Sequence, residues 1–149
     1  MEPVAIASDH AGFSMKRVLC EHLTKSGYEV MDLGADSSAE VDYPEYAEKL
    51  CKAIVQGEVK RGILLCGIGV CMSIAANKFK GIYAALCTNE FMARMSRAHI
   101  DSNVLCLGAG VISDEVAKAI VDVWLTTDFE GGKYSRRLDR IKKIENSLI

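Results

Sequence analysis

The chain has 149 residues, of which 50% are hydrophobic and 26% are charged. These values are close to those of an average globular protein, so a full core can form without disulfides, and the length suits one domain over residues 1–149. The 18 Lys and Arg residues nearly balance the 20 Asp and Glu residues. A net charge of −2 excludes a strongly basic surface of the kind that binds nucleic acid or an anionic membrane.

The apolar stretches are far shorter than the roughly 20 residues that cross a bilayer, and the N-terminus has no basic region followed by an apolar run. Six cysteines are spread along the chain without a Cys-x-x-Cys pair, unlike a typical zinc site or a small secreted protein. We therefore expect a cytoplasmic protein whose cysteines are mostly buried thiols.

Short β-branched runs alternate with amphipathic stretches along the chain, and Gly or polar residues mark most junctions. This alternation is typical of βαβ units. The predicted strands are residues 4–7, 28–33, 62–65, 82–86 and 104–107. The run 62–65 is apolar throughout, as expected of a strand that is buried on both faces of a sheet.

Helix signals follow each of these strands, and a last helix ends the chain. Gly27 and Gly57 end the first two helices, Pro44 suits the first turn of the second, and Asn89 and Ser113 are candidate N-caps of the fourth and fifth. The second helix has one apolar face. That face is predicted to carry Tyr43, Ala47, Leu50 and Ile54. The predicted helices end near residues 27, 57, 77, 98 and 125, and the last carries Leu138, Ile141, Ile144 and Leu148 on one stripe.

These elements predict an α/β protein with a five-stranded, mostly parallel sheet and helices on both faces. In such sheets, ligands bind at the carboxyl ends of the strands, near the point where the strand order reverses. Functional residues are therefore expected in the loops 8–12, 66–70, 88–89 and 108–113.

A cysteine followed by two glycines lies at the end of the third predicted strand. Cys66 precedes Gly67 and Gly69, at the start of a helix. Backbone N–H groups there can bind an anion, and a helix N-terminus lowers the pKa of a thiol from its free value of about 8.5. Three other interpretations remain: a buried structural cysteine, half of a dinucleotide fingerprint, and zinc ligation by Cys66, Cys71 and a histidine.

An acid and an imidazole are adjacent at the end of the first strand. Asp9 and His10 can move protons or hold an anion, or else Asp9 caps the next helix beside an exposed His10. His99 follows a helix, where it can also serve only to interact with the helix dipole. Together with the thiol and a basic last helix, these groups suit proton abstraction next to the carbonyl of a phosphorylated substrate.

Motifs spread over nearly the whole chain carry a family resemblance. They are Ser8-Asp9-His10-Ala11-Gly12, Asp42-Tyr43-Pro44, Cys66-Gly67-x-Gly69, Ala75-Ala76-Asn77-Lys78, Ser96-Arg97-x-His99, Asn103-Val104-Leu105 and Phe129-Glu130-Gly131-Gly132. In order and spacing the chain resembles the ribose-5-phosphate isomerase B family, which includes allose-6-phosphate and galactose-6-phosphate isomerases. The resemblance implies a Rossmann-like three-layer sandwich with a C-terminal helix. It also implies a homodimer or dimer of dimers with shared active sites.

The activity that the resemblance implies is aldose–ketose isomerisation of a sugar phosphate through a cis-enediolate, without a metal ion or cofactor. Cys66 would be the base, and the backbone amides of Gly67, Ile68, Gly69, Val70 and Cys71 would stabilise the enediolate oxygens. Asp9 and His99 would assist ring opening, with His99 contributed by the partner subunit. His10 and Arg137 would bind the phosphate.

Several positions that face the ligand in the family differ here. They are Ile68, Cys71, Ile100, Gly110, Lys133 and Tyr134. Ile68 replaces a threonine hydroxyl and Ile100 replaces an asparagine amide, whereas Lys133 keeps the charge of an arginine without its fork. Each lost contact to a sugar hydroxyl costs on the order of 1–3 kcal/mol. The alternatives are therefore another sugar phosphate, such as a tetrose phosphate, or a binding protein with weak or no turnover. A redox role for Cys66 and Cys71 is a third hypothesis.

Overall fold

A five-stranded parallel sheet forms the centre of the computed structural model, which describes residues 1–147. The strands are β1 (Val4–Ser8), β2 (Val30–Asp32), β3 (Arg61–Cys66), β4 (Ala84–Leu86) and β5 (Val104–Gly108). Their order is β2-β1-β3-β5-β4, and all four neighbouring pairs are parallel. The predicted α/β class with a parallel sheet is therefore confirmed.

Six helices lie within the described residues. They are α1 (Phe13–Lys25), α2 (Tyr43–Val55), α3 (Val70–Ala76), α4 (Glu90–Ile100), α5 (Asp114–Thr126) and α6 (Lys133–Ser147). Both predicted side-chain caps are present: Asn89 Oδ1 accepts from the Met92 N–H at 2.8 Å, and Ser113 Oγ accepts from the Val116 N–H at 3.2 Å. The predicted stripe residue Leu148 lies outside the described residues.

The core lies on both faces of the sheet, which makes the three layers that the family resemblance implies. On one face, α1 and α5 pack against Ile63 and Leu65 of β3. On the other, α2 and α3 pack against Leu64 and Cys66 of the same strand. Successive side chains of a strand point to opposite faces, so the continuous apolar run in β3 reflects burial on both sides.

Two strands and one helix face differ from the prediction. β2 and β4 are shorter than predicted because they are the edge strands, each paired with one neighbour only. Tyr43 was predicted on the buried face of α2, but it is 38% exposed. It is the first residue of the helix, and burial begins one turn later, at Ala47.

The strand order places a crevice at the carboxyl ends of β1 and β3. The chain passes from β1 to β2 on one side, while β3 and the later strands lie on the other. This reversal is where ligands bind in open α/β sheets. Within residues 1–147, the helices are too short or too polar to cross a bilayer.

Candidate active site

Three loops meet at the carboxyl edge of the sheet through backbone hydrogen bonds. The Asp9 N–H donates to the Leu65 carbonyl at 3.2 Å, which joins the loop after β1 to β3. The Ala109 N–H donates to the Cys66 carbonyl at 2.9 Å, and the Gly110 N–H to the Gly67 carbonyl at 2.8 Å. The positions of these loops are therefore set by the sheet itself.

Close backbone contacts explain two of the glycines at this edge. A Cβ atom on Gly12 would lie 2.7 Å from the Leu65 Cβ, and one on Gly108 would lie 2.6 Å from the Ile68 carbonyl carbon. Side chains are excluded at both positions, because real Cβ atoms do not approach other carbons so closely. Gly69 has φ +78°, a left-handed conformation that favours glycine and turns the chain from β3 into α3.

Cys66 is the last residue of β3 and is fully buried. Its Sγ accepts a hydrogen bond from the Gly69 N–H at 3.2 Å. The structure pairs this sulfur with that of Cys71, which is half-buried in the first turn of α3. Their Cα atoms are 7.1 Å apart, slightly above the usual span of a disulfide.

Asp9 is nearly buried, with 7% of its surface exposed. Its Oδ1 accepts from the Gly12 N–H at 3.0 Å, just before α1 begins at Phe13. Asp9 is therefore not the cap of α1, whose N-cap residue is Gly12; its carboxylate instead holds the turn that leads into the helix. The same contact keeps a carboxylate beside the end of β1.

His10 is oriented by the loop that follows β2. Its Nδ1 is 3.2 Å from the Val41 nitrogen and accepts that N–H. In the neutral ring the proton is therefore on Nε2, which is left to act on a ligand. Sequence reasoning missed Val41, although the adjacent motif that begins at Asp42 marks this loop as part of the family pattern. We refer to Asp9, His10 and Cys66 as the carboxyl-edge cluster.

Three of the remaining cysteines are buried thiols, as predicted: Cys51, Cys87 and Cys106. Burial raises the pKa of the Cys51 thiol to about 12 and that of the Cys87 thiol to about 11. Burial also raises the pKa of Cys106 well above its ordinary value. These thiols therefore remain protonated at neutral pH and are poor nucleophiles. Cys20, on α1, is half-buried.

Three other predicted site residues, His99, Lys133 and Arg137, form a second cluster around Tyr134, and we call these four residues the amino-edge cluster. The His99 and Tyr134 rings are stacked, with centroids 4.0 Å apart and an interplanar angle of 9°. The cationic groups of Lys133 and Arg137 lie 5.2 Å and 5.5 Å from the Tyr134 ring centre. Sequence reasoning noted Tyr134 only as a departure and missed this stack.

A carboxylate also belongs near this cluster. Glu130 Oε2 lies 3.8 Å from His99 Nε2, and the Glu130 backbone N–H donates to the Ala98 carbonyl at 2.9 Å. The loop before α6 is therefore held against the end of α4. Ile100, the last residue of α4, is exposed beside it.

One chain does not bring the two clusters together. His99 lies at the end of α4, close to the start of β5, whereas Cys66 is in register with Gly108 at the other end of that strand. Four strand steps separate Val104 from Gly108, roughly 13 Å along the sheet. The carboxyl-edge cluster and His99 are consequently at opposite edges of one chain.

Three of the departures from the family pattern, Ile68, Cys71 and Gly110, lie at the carboxyl edge. Ile68 is 58% exposed, and a Cβ atom on Gly110 would lie 3.0 Å from the Gly67 carbonyl oxygen, so that position has little room for a side chain. Within the part of the chain that the structure describes, no three His, Cys, Asp or Glu side chains come together as a metal site would require. The zinc hypothesis for Cys66 and Cys71 therefore has no support from the geometry.

Comparison with known proteins gives consistent matches over nearly the full length. The family model described as Ribose/Galactose Isomerase matches residues 4–141. Ribose-5-phosphate isomerase B of Escherichia coli K12 is 47% identical over 145 residues, covering 97% of each chain.

Two solved structures extend the comparison to the fold. That of Clostridium thermocellum ribose-5-phosphate isomerase B has a TM-score of 0.95 at 47% identity and covers 97% of both chains. The Mycoplasma genitalium ribose-5-phosphate isomerase B structure with bound ribulose-5-phosphate has a TM-score of 0.92 at 40% identity, covering 98% of this chain and 97% of that one.

Proposed function

Because the chain belongs to the ribose/galactose isomerase family, we propose that it interconverts ribose 5-phosphate and ribulose 5-phosphate, as one isomerase domain over residues 1–149. The relatives named for this activity match it over nearly their whole length. An aldose and its ketose have the same composition, so the reaction requires no external oxidant, reductant or cofactor. It requires a base, a stabilised enediolate and a phosphate site.

The observation that carries the proposal is the position of Cys66. Its sulfur receives the Gly69 N–H at the strand-order reversal, and backbone hydrogen bonds join the end of β3 to the loops that follow β1 and β5. In the reduced protein, the Cys66 thiolate removes the proton from C2 of the open-chain aldose. The same group, now a thiol, returns it to C1 of the enediolate and so produces the ketose.

Stabilisation of the enediolate is assigned to the backbone between Gly67 and Cys71. The enediolate carries negative charge on its oxygens, and preorganised N–H groups stabilise such charge in the transition state. Helix geometry leaves the first N–H groups of α3, including those of Val70 and Cys71, without an acceptor inside the helix. They face the same end of the sheet as Cys66.

The phosphate is assigned to His10 together with Lys133 and Arg137. Arg137 supplies a planar fork that can donate two hydrogen bonds to phosphate oxygens, and Lys133 adds a point charge. His10 donates from Nε2, because its Nδ1 already accepts the Val41 N–H. Asp9 and His99 are assigned to ring opening, in which a proton leaves the C1 hydroxyl and another reaches the ring oxygen.

These assignments require a second copy of the chain. His99, Ile100, Lys133 and Arg137 are away from Cys66 in their own chain, so a homodimer or a dimer of dimers would supply them across the subunit interface. Large apolar side chains are exposed at the carboxyl edge, where such a partner would pack. They are Ile68, Val70, Ile74, Phe91, Met92 and Val111.

A smaller substrate is the second candidate. Ile68 is exposed at the loop of the proposed base, and Ile100 is exposed beside His99, so both are free to face the sugar. Neither side chain can donate or accept a hydrogen bond. Both are bulkier and more apolar than the threonine and the asparagine that they replace. A four-carbon sugar phosphate, with one hydroxyl fewer to satisfy, suits such a site.

The decisive experiment is an isomerase assay of the reduced protein across tetrose, pentose and hexose phosphates, in heavy water. We expect turnover of ribose 5-phosphate with deuterium entering the product, and a loss of at least about a thousand-fold in the Cys66→Ala protein. Cys106→Ala is the matched control, because it removes a buried thiol in the core instead. Stabilisation by sugar phosphates without any turnover would instead indicate a binding protein, and a fully active Cys66→Ala protein would exclude this base.

We also propose a cytoplasmic location. The proposed base must be a free thiol, and glutathione and thioredoxin keep thiols reduced in the cytosol. Four further cysteines, Cys20, Cys51, Cys87 and Cys106, are unpaired thiols in the described part of the chain, which fits the same compartment.

A further inference from the structure

The sulfur atom of the proposed base has a second cysteine beside it. Cys71 lies five residues after Cys66, in the first turn of α3, and the structure pairs their sulfur atoms. The enediolate chemistry has no use for the Cys71 thiol, because the proposed role of this residue is filled by its backbone N–H. The thiol therefore requires a separate explanation.

The other cysteines in the described part of the chain have no sulfur partner. Cys51 and Cys106 lie in the core with protonated thiols, as does Cys87, and Cys20 is on α1. In contrast, Cys66 receives an N–H bond at its sulfur and Cys71 is half-buried at the proposed substrate edge. An oxidant that reaches the active site therefore meets Cys66 with Cys71 as its neighbour.

We infer that Cys66 and Cys71 form a reversible redox-modification site, in which Cys71 converts oxidised Cys66 into a disulfide and so switches the isomerase off. This inference rests on the proposed function, because it treats Cys66 as the base. The oxidant is a peroxide. The disulfide is the inactive form, and the dithiol is the active one.

The chemistry balances in two steps. The Cys66 thiolate attacks one oxygen of hydrogen peroxide, the O–O bond breaks, and Cys66 becomes a sulfenic acid while hydroxide leaves. The Cys71 thiolate then attacks the Cys66 sulfur, the S–O bond breaks, and a second hydroxide leaves as the S–S bond forms. Two thiols are oxidised by two electrons, and one peroxide is reduced to two waters once protons are taken up. A dithiol reverses the change by exchange.

Disulfide formation acts on two parts of the proposed mechanism. It consumes the lone pair with which Cys66 would remove the C2 proton. It also ties Cys66 to the first turn of α3, the segment whose N–H groups are assigned to the enediolate. The expected result is an inactive protein with an intact fold, because neither change touches the packing of the sheet.

Cys71 also protects the base. A sulfenic acid without a neighbouring thiol is oxidised further to sulfinic acid, which dithiols do not reduce. With Cys71 present, the disulfide intercepts that intermediate. The pair therefore makes oxidation of the active site recoverable.

The test treats the reduced protein with hydrogen peroxide and follows both mass and activity, each relative to the same protein before treatment. We expect the mass to fall by roughly two daltons, with a peptide linking Cys66 to Cys71, and activity to fall at least about ten-fold. Dithiothreitol should restore both. In Cys71→Ser, the same treatment should carry Cys66 through the sulfenic acid to the sulfinic acid, and dithiothreitol should not restore the lost activity. Cys20→Ser is the matched control and should behave as wild type does.

Failure of the inference and failure of the proposed function are separable, since the mass does not depend on turnover. A reduced protein without isomerase activity would contradict the function even if the disulfide is mapped. An active protein in which no Cys66–Cys71 peptide forms would overturn the inference alone. So would full recovery of peroxide-treated Cys71→Ser, because recovery would then not depend on the second thiol.

Discussion

The two clusters of site residues are built in different ways. The carboxyl-edge cluster follows β1 and β3, and backbone hydrogen bonds from three strands join its loops. The amino-edge cluster lies on the end of α4 and the first five residues of α6, and a ring stack with two cations around it holds its side chains. One is an extension of the sheet, whereas the other is a surface assembly.

This difference matches the separate roles in proton transfer and phosphate binding that we propose for the two clusters. Proton transfer at carbon needs a base whose position is set within a fraction of an ångström, and the sheet provides that. Phosphate binding tolerates side chains on helix ends, because the charge acts over a longer distance. A cluster at the amino edge can serve a site at the carboxyl edge only if a second copy brings it there.

The experiment with the largest expected effect uses heterodimers and tests directly whether the two clusters meet across the subunit interface. In a purified heterodimer of Cys66→Ala and His99→Ala chains, sharing across the interface leaves one site with both residues intact. We expect about half of the wild-type activity, although each variant alone should lose at least about a hundred-fold. Steady-state rates of tagged, co-expressed heterodimers provide the measurement.

A heterodimer of wild type with the Cys66→Ala, His99→Ala double variant is the matched control. It has the same two substitutions, but sharing then places one in each site, so it should be nearly inactive. If each chain instead uses its own His99, the control heterodimer keeps about half of the wild-type activity and the first heterodimer is nearly inactive. That result would disprove the shared site.

The carboxyl-edge cluster was predictable from sequence because its determinants are local. An apolar run ends at Cys66, glycines follow, and helix signals begin, which places the thiol at a strand end. The contact of Asp9 with the Gly12 N–H spans three residues and follows from the turn between β1 and α1. The predicted lengths of the edge strands were less accurate. β2 and β4 pair with one neighbour each and are shorter than their residue preferences indicate.

Contacts between distant segments were not predictable. The Val41 N–H that fixes the His10 ring lies 31 residues away in the chain, on a loop without a periodic pattern. The stack of Tyr134 on His99 depends on how α6 meets α4, which nothing in either segment indicates alone.

A pair of glycine substitutions tests whether the sheet sets the carboxyl-edge cluster. In Gly108→Ala, the new Cβ would lie 2.6 Å from the Ile68 carbonyl carbon, and backbone would have to move. We expect the free energy of unfolding to fall by about 2 kcal/mol, as for other overpacked sites. Gly67→Ala is the matched control, because its Cβ would meet only the Ala11 Cβ, at 3.8 Å. Its stability in urea should be nearly unchanged, and equal losses in both variants would contradict this account.

The smallest expected effect concerns the ring stack at the amino edge. Tyr134→Phe keeps an aromatic face for His99, Lys133 and Arg137, whereas Tyr134→Ala removes it. Aromatic pairs contribute about 0.5–1.5 kcal/mol, so kcat/KM of the alanine variant should fall by roughly three- to ten-fold and its unfolding free energy should change by no more than this amount. The phenylalanine variant should match wild type in both. Because the stack orients side chains and provides no proton, we expect a rise in KM for the sugar phosphate larger than any fall in kcat. A fall confined to kcat would show instead that the stack acts on the proton-transfer steps, and the amino-edge cluster would then have a chemical role beyond binding.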